Sequence, residues 1–94
     1  MSGPAVSIVV LTHDGREHLA TCLASLAQDG WPSGDVEVVV VDNGSTDGTA
    51  SFVREEFPAV RLQTAGRNLG FAPGVRFGAL ACRGETLVLL NNDT

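Results

Sequence analysis

Four short apolar runs punctuate the chain. Val6 to Leu11 is continuously apolar apart from Ser7, and Val36 to Val41 is interrupted only by Glu37. Runs of this kind predict strands covered on both faces, as in a parallel sheet, and Leu87 to Leu90 carries the same signature. Val60 to Gln63 is shorter and mixed, which places it nearer a sheet edge. Between the first two runs, Leu19, Cys22, Leu23 and Leu26 recur at helical spacing. Asp14, three residues before Glu17, predicts a capping box at the start of that helix. Gly30 and Pro32 mark its end, and Ser33-Gly34-Asp35 completes the loop.

A second helix is expected from around Ser45 or Thr46, with Ala50, Val53 and Phe57 on one face and Pro58 as its stop. A third is expected from about Ala72 to Arg83, with Pro73 in its first turn and Gly84 as its C-cap. The order βαβαβαβ implies parallel pairing through right-handed crossovers. The expected architecture is therefore α/β, a Rossmann-like parallel sheet of strand order 3-2-1-4, half of a doubly wound sheet.

Composition narrows the class. Ninety-four residues make one small domain, 1–94, with residues 1–5 expected as a disordered start. Hydrophobic content of 44% and charged content of 18% indicate a globular chain. No apolar stretch approaches the roughly 20 residues needed to cross a bilayer. The opening Met1-Ser2-Gly3-Pro4-Ala5 lacks the basic start of a signal peptide, so a cytoplasmic location is expected. Net charge is −5, and all six basic residues are arginine. Without a basic stripe, nucleic acid is not an expected partner. Cys22 and Cys82 fall at apolar positions of expected helices and read as reduced core residues.

Each apolar strand runs into a polar cluster. The first is followed by Thr12-His13-Asp14-Gly15, the second by Asp42-Asn-Gly-Ser-Thr-Asp-Gly-Thr49, and the fourth by Asn91-Asn92-Asp93-Thr94. Strand order 3-2-1-4 puts all three on one edge of the sheet, where open parallel sheets bind their ligands. At about 4.8 Å between strands, Asp42 and Asp93 would stand about 10 Å apart. That separation is too wide for a shared metal and suits two ends of an extended ligand, such as a base and a diphosphate.

Two readings fit the Asp42 cluster. It is either a βα turn rich in the residues turns require, or a carboxylate at a buried strand end that accepts from a ring N–H or ribose hydroxyls. Asn91 and Asp93 offer hard oxygen ligands on one side of an extended chain and could hold Mg2+ or Mn2+ carrying phosphate oxygens; the alternative is a polar terminus. His13 is either a loop histidine or a flat surface for a base. Arg67, before the third helix, is either a surface charge or an anion clamp. No Gly-x-Gly-x-x-Gly follows the first strand and no Walker motif is present, which argues against a dinucleotide fold and a P-loop.

The stretches Val6–Gly15, Val40–Thr49, Arg67-Asn-Leu-Gly-Phe-Ala72 and Leu87–Thr94 together resemble the nucleotide-binding, N-terminal half of family 2 glycosyltransferases of GT-A fold. The Asn-Asn-Asp ending is similar to the rhamnosyltransferase-type members. The resemblance implies that Thr12 and His13 line the base pocket, His13 standing where many members have Tyr. It implies that Asp42 binds the base, that Asp47 shapes the same loop, and that Arg67 and Asn92 lie near the nucleotide sugar. Asn91 and Asp93 would take the outer positions of the metal-binding Asp-x-Asp motif, Asn91 in place of the first acid. Pro73 and Arg76 depart from the Gly and Asn expected there.

The chemistry so implied is metal-assisted transfer of a sugar from a nucleoside-diphosphate donor to a saccharide or lipid-linked acceptor hydroxyl, with inversion. The full-length enzyme would then work in the cytoplasm or at the cytoplasmic face of a membrane. The resemblance places the acceptor-binding half and the catalytic base beyond these residues, so the 94-residue piece is expected to bind donor without turnover. An exposed flank of the half-sheet could pair with a second copy. Two rivals carry specific expectations. A sugar-nucleotide nucleotidyltransferase should show a Gly-rich basic loop after the first strand, which Thr12-His-Asp-Gly15 does not supply. A flavodoxin-like or receiver-like interaction domain of the receiver type would want a lysine, and the chain has none.

Overall fold

The computed structural model describes residues 4–32 and 35–91, the last of these by its backbone alone. Seven elements follow in the order β1 (Val6–Thr12), α1 (Arg16–Gln28), β2 (Val36–Asp42), α2 (Thr49–Glu56), β3 (Arg61–Thr64), α3 (Phe71–Ala79) and β4 (Thr86–Asn91). The sheet is parallel throughout, with order β3-β2-β1-β4. Successive right-handed crossovers leading from β1 to β3 keep α1 and α2 on one face. The return from β3 to β4 reverses direction and carries α3 to the other face.

Each face has its own core. Val10, Val38 and Val40 pack with Leu19 and Leu23 of α1, Val53 of α2, Trp31 and Val60. Val9, Leu11 and Val41 form the opposite cluster, with Val75, Phe77 and Cys82 against it. The unbroken valine runs of β1 and β2 are thus explained: alternate side chains enter different cores and both are buried. Glycine brings α3 onto the second face. A Cβ at Gly78 would stand 2.5 Å from Val41 Cγ2, and one at Gly74 would stand 2.9 Å from Leu11 Cδ1. Hydrogen at Gly78 lets the helix backbone lie this close to β2, and a side chain at Gly74 would displace Leu11.

The two polar exceptions in the strands meet. Ser7 and Glu37 are register partners, and both are buried. Ser7 Oγ donates to Glu37 Oε2 at 2.5 Å, as does the Arg83 N–H, also at 2.5 Å. Arg61 Nη1 and Arg83 Nε approach Oε1 at 3.1 and 3.3 Å. The Gly84 N–H donates back to Ser7 Oγ at 2.7 Å. Burial alone would raise the Glu37 carboxyl, but these donors outweigh it and hold its pKa at about 2. The knot ties the segment between α3 and β4 to the amino end of the sheet, opposite the polar clusters.

Several local expectations are corrected. β4 is not covered on both faces: Leu87, Val88 and Leu89 are 44%, 39% and 37% exposed. It is an edge strand, and α3 lies over β1 and β2 instead. The capping box at α1 does not form. Gly15 is the N-cap without a side-chain bond, and Asp14 sits at φ 50° with its carboxylate turned to Thr46. α2 begins at Thr49, after the whole Asp42–Gly48 loop. α3 spans Phe71–Ala79 rather than reaching Arg83, so Cys82 lies in the following turn and Gly84 is not its C-cap. Both cysteines are free and half-buried, and burial pushes both thiols up. Among the described residues no helix is long and apolar enough to cross a membrane.

Candidate functional site

β1 and β2 end level with one another, Thr12 beside Asp42. Both residues are buried, at 1% and 4% exposure. The loops that continue from them are laced together by polar groups. The Asn43 N–H donates to Thr12 O at 2.8 Å. The Asp14 N–H donates to Ser45 Oγ at 2.8 Å, and Asp14 Oδ1 accepts from the Thr46 N–H at 2.7 Å. Asp42 Oδ1 accepts from the Ser45 N–H at 3.0 Å, three residues on, and so starts the second loop.

His13 is held through Nδ1, and its second ring nitrogen faces a carboxylate. Its Nδ1 lies 2.8 Å from the Asn43 carbonyl oxygen. A carbonyl only accepts, so Nδ1 carries the hydrogen in this contact. Nε2 lies 3.3 Å from Asp14 Oδ2. The ring is thereby oriented with about two-fifths of its side chain open to solvent.

A third loop closes over the first two. Gly44 has φ +80°, and a Cβ on it would fall 2.5 Å from the Asn68 nitrogen. The segment from Arg67 to Gly70 thus crosses directly above Gly44, which only glycine allows. The Asn43 side chain then pins that segment. Its Oδ1 accepts from the Leu69 N–H at 2.7 Å and its Nδ2 donates to Gly70 O at 3.0 Å. Gly70 precedes α3, whose first turn accommodates Pro73 because the N–H there has no intrahelical acceptor.

The result is an open cleft of about 320 Å³ lined by Leu11, Thr12, His13, Asn43, Asn68, Gly70 and Phe71. Phe71 stands 54% exposed at its rim. Of the site residues expected from sequence, Thr12 and His13 are on its wall. Asp42 is beneath the loops and not on the described wall. Arg67 is exposed, and among the described residues no acid pairs with it. Asp47 borders a second cleft, with Asp14, Gly15, Arg16, Glu17 and His18. There it accepts from the Thr49 hydroxyl, from the Thr49 N–H at 3.1 Å and from the Arg16 N–H at 3.3 Å. The Thr49 hydroxyl above all holds its carboxyl below the usual range. One aspartate thus serves the starts of two helices.

Asn43, Asn68, Gly70 and Phe71 carried no assigned role from sequence reasoning. The Asn-Gly pair directly after a buried strand was the available signal for Asn43. The Asn91 side chain, Asn92 and Asp93 lie outside the described residues, and with them the expected metal pair. Among the described residues no three His, Cys, Asp or Glu side chains converge to hold a metal ion.

Comparison with known proteins gives this edge of the sheet a family context. The N-acetylglucosaminyl-diphospho-decaprenol L-rhamnosyltransferase of Mycobacterium tuberculosis is 40% identical over 68 residues, which is 72% of this chain and 22% of that protein. The mannosyltransferase PcManGT from Pyrobaculum calidifontis, solved in complex with GDP-Man and Mn2+, superposes with a TM-score of 0.81 at 30% identity, over 99% of this chain and 28% of that one. S. aureus TarS in complex with UDP superposes with a TM-score of 0.84 at 26% identity, over 99% of this chain and 28% of that one. The chain therefore spans between a fifth and a third of the length of these relatives. Its four-stranded sheet of order 3-2-1-4 is the one these GT-A glycosyltransferases share. The family profile "Glycosyl transferase family 2" matches residues 7–94, and the chain belongs to that family.

Proposed function

We propose that this chain binds the nucleoside-diphosphate part of a sugar donor in the cleft between His13 and the Arg67–Phe71 segment. The observation that carries the reading is the convergence of three loops on one opening at the carboxyl edge of the sheet. Structural relatives are in complex with GDP-Man and Mn2+ or with UDP. In this reading the oriented His13 ring offers its face to the base, and Thr12 lines the same pocket. Asp42 is assigned to the base as well, although it lies beneath the loops and reaches a ligand only if they shift. The guanidinium of Arg67, which pairs with no acid among the described residues, meets anionic phosphate, where a fork of donors suits its oxygens. Asp47 keeps the loop in shape through its bonds to Thr49 and Arg16.

Asn91 ends β4 beside Leu11 of β1 in register, and Asn92 and Asp93 come next in the sequence. We assign Asn92 to the nucleotide sugar and Asn91 with Asp93 to a divalent cation, Mg2+ or Mn2+, whose chemistry is to neutralise charge on the departing diphosphate. The full-length protein would transfer the sugar to an acceptor hydroxyl with inversion. Its acceptor would be a saccharide or a lipid-linked sugar, the latter supported by the polyprenyl diphosphate acceptor in the name of the mycobacterial relative. The 94 residues are expected to bind donor without transferring it. Calorimetric titration with UDP, GDP and dTDP, with and without Mn2+, tests the reading. Metal-dependent binding of one nucleotide, lost in Asp93→Ala, is the expected result. A folded sample that binds none of the three would contradict it.

A further inference from the structure

We infer that Asn43 is the positioning residue of the cleft, holding the His13 ring and the Leu69–Gly70 backbone as its two opposed walls. All four of its polar groups are used across loops. The main chain donates to Thr12 O and accepts from His13 Nδ1, both at 2.8 Å. The side chain accepts from the Leu69 N–H at 2.7 Å and donates to Gly70 O at 3.0 Å. It is itself 3% exposed, which limits competition from bulk water on its side of these contacts. The side-chain amide pairs with the crossing loop as another peptide group would, one acceptor and one donor side by side.

That requirement is narrow. Aspartate has the same length but only acceptors when ionised, and would set a carboxylate oxygen against the Gly70 carbonyl. Leucine offers neither group, and glutamine, one methylene longer, would carry both amide groups away from their partners. Gly44 adds a second constraint, because the crossing loop sits where its Cβ would be. The neighbouring pair therefore acts jointly: glycine admits the loop and asparagine fastens it. The effect on ligand is indirect, since Asn43 works through His13 on one wall and through Gly70 and Phe71 on the other.

This inference rests on the nucleotide reading for its effect on affinity, and has a separate readout for its geometry. Asn43→Asp should bind the preferred nucleoside diphosphate about tenfold more weakly than wild type at pH 8. The deficit should narrow as pH falls below about 4, where a neutral carboxyl regains a donor for Gly70 O. A variant that merely lost stability would show no such pH-dependent rescue. Amide hydrogen exchange on the same chain, without nucleotide, should show Leu69 exchanging at least tenfold faster in Asn43→Ala or Asn43→Asp, with the β1 and β2 amides unchanged. If no nucleotide binds wild type, the proposed function fails and the exchange at Leu69 alone decides this inference. Unchanged Leu69 protection in folded Asn43→Asp, or wild-type affinity at every pH, would overturn it.

Discussion

The polar residues inside otherwise apolar strands are the most informative single positions. Ser7 and Glu37 stood out in the sequence as interruptions, and the structure pairs them in register beneath two arginines. Their partners Arg61, Arg83 and Gly84 are distant in sequence, so the interruptions were legible but their purpose was not. The Glu37 carboxyl is held at about 2, well below the usual 4.5. A lowered carboxyl contributes stability above its unfolded value that is lost as pH falls through its folded value. The contribution is on the order of 3 kcal/mol, consistent with breaking a buried ion pair. Glu37→Gln should therefore be destabilised by about 2–4 kcal/mol at pH 7 in chemical denaturation. The gap to wild type should close as pH falls from about 4.5 towards 2. A gap independent of pH would show that the carboxylate charge is not what the arginines hold. His13 makes the complementary point: its place in the first polar cluster was plain, but its orientation comes from Asn43, 30 residues away.

At the scale of elements, alternation of type was legible because each strand is a dense apolar run and each helix has a periodic face. Ends were less so. α1 is capped from a separate loop by Asp47, whose contact lies 31 residues from Arg16, so no local box could reveal it. β4 has the composition of an interior strand yet occupies an edge, because apolar content reports what a strand can bury and not what lies beside it. α3 shows how two small residues position an element. In an isolated helix, Gly78→Ala would gain up to about 1 kcal/mol from propensity. Here the added Cβ meets Val41 Cγ2 at 2.5 Å and Val9 Cγ1 at 3.0 Å, and both valines are fully buried. Overpacking costs about 1–3 kcal/mol, so Gly78→Ala should be net destabilised in thermal or chemical unfolding. Arg76→Ala, on the exposed side of the same helix, should change stability by less than about 0.5 kcal/mol. Equal effects of the two would mean that α3 is not seated on the sheet as described.

At the scale of the molecule, the two edges of one sheet are specialised. The amino edge is closed by the Glu37 knot, where both carboxylate oxygens accept from protein donors. The carboxyl edge keeps an open cleft whose walls are tied together from behind by Asn43 and underlain by Asp42. Strand order made this division legible in advance, since reversing the crossover direction puts the ends of β1, β2 and β4 together. The cleft's wall was less legible: three of its seven lining residues are Asn68, Gly70 and Phe71, brought over Gly44 by a loop crossing that no local pattern announces. The most direct test of the central claim is to map the cleft by heteronuclear NMR while titrating UDP, GDP or dTDP with Mg2+, the diamagnetic ion. Binding at the proposed site should shift the amides of Thr12, His13, Asn43 and Asn68 to Phe71, leaving those around Glu37 and Arg83 still. Shifts centred instead on Glu17 and His18 in the neighbouring cleft, or none with any of the three nucleotides, would contradict it.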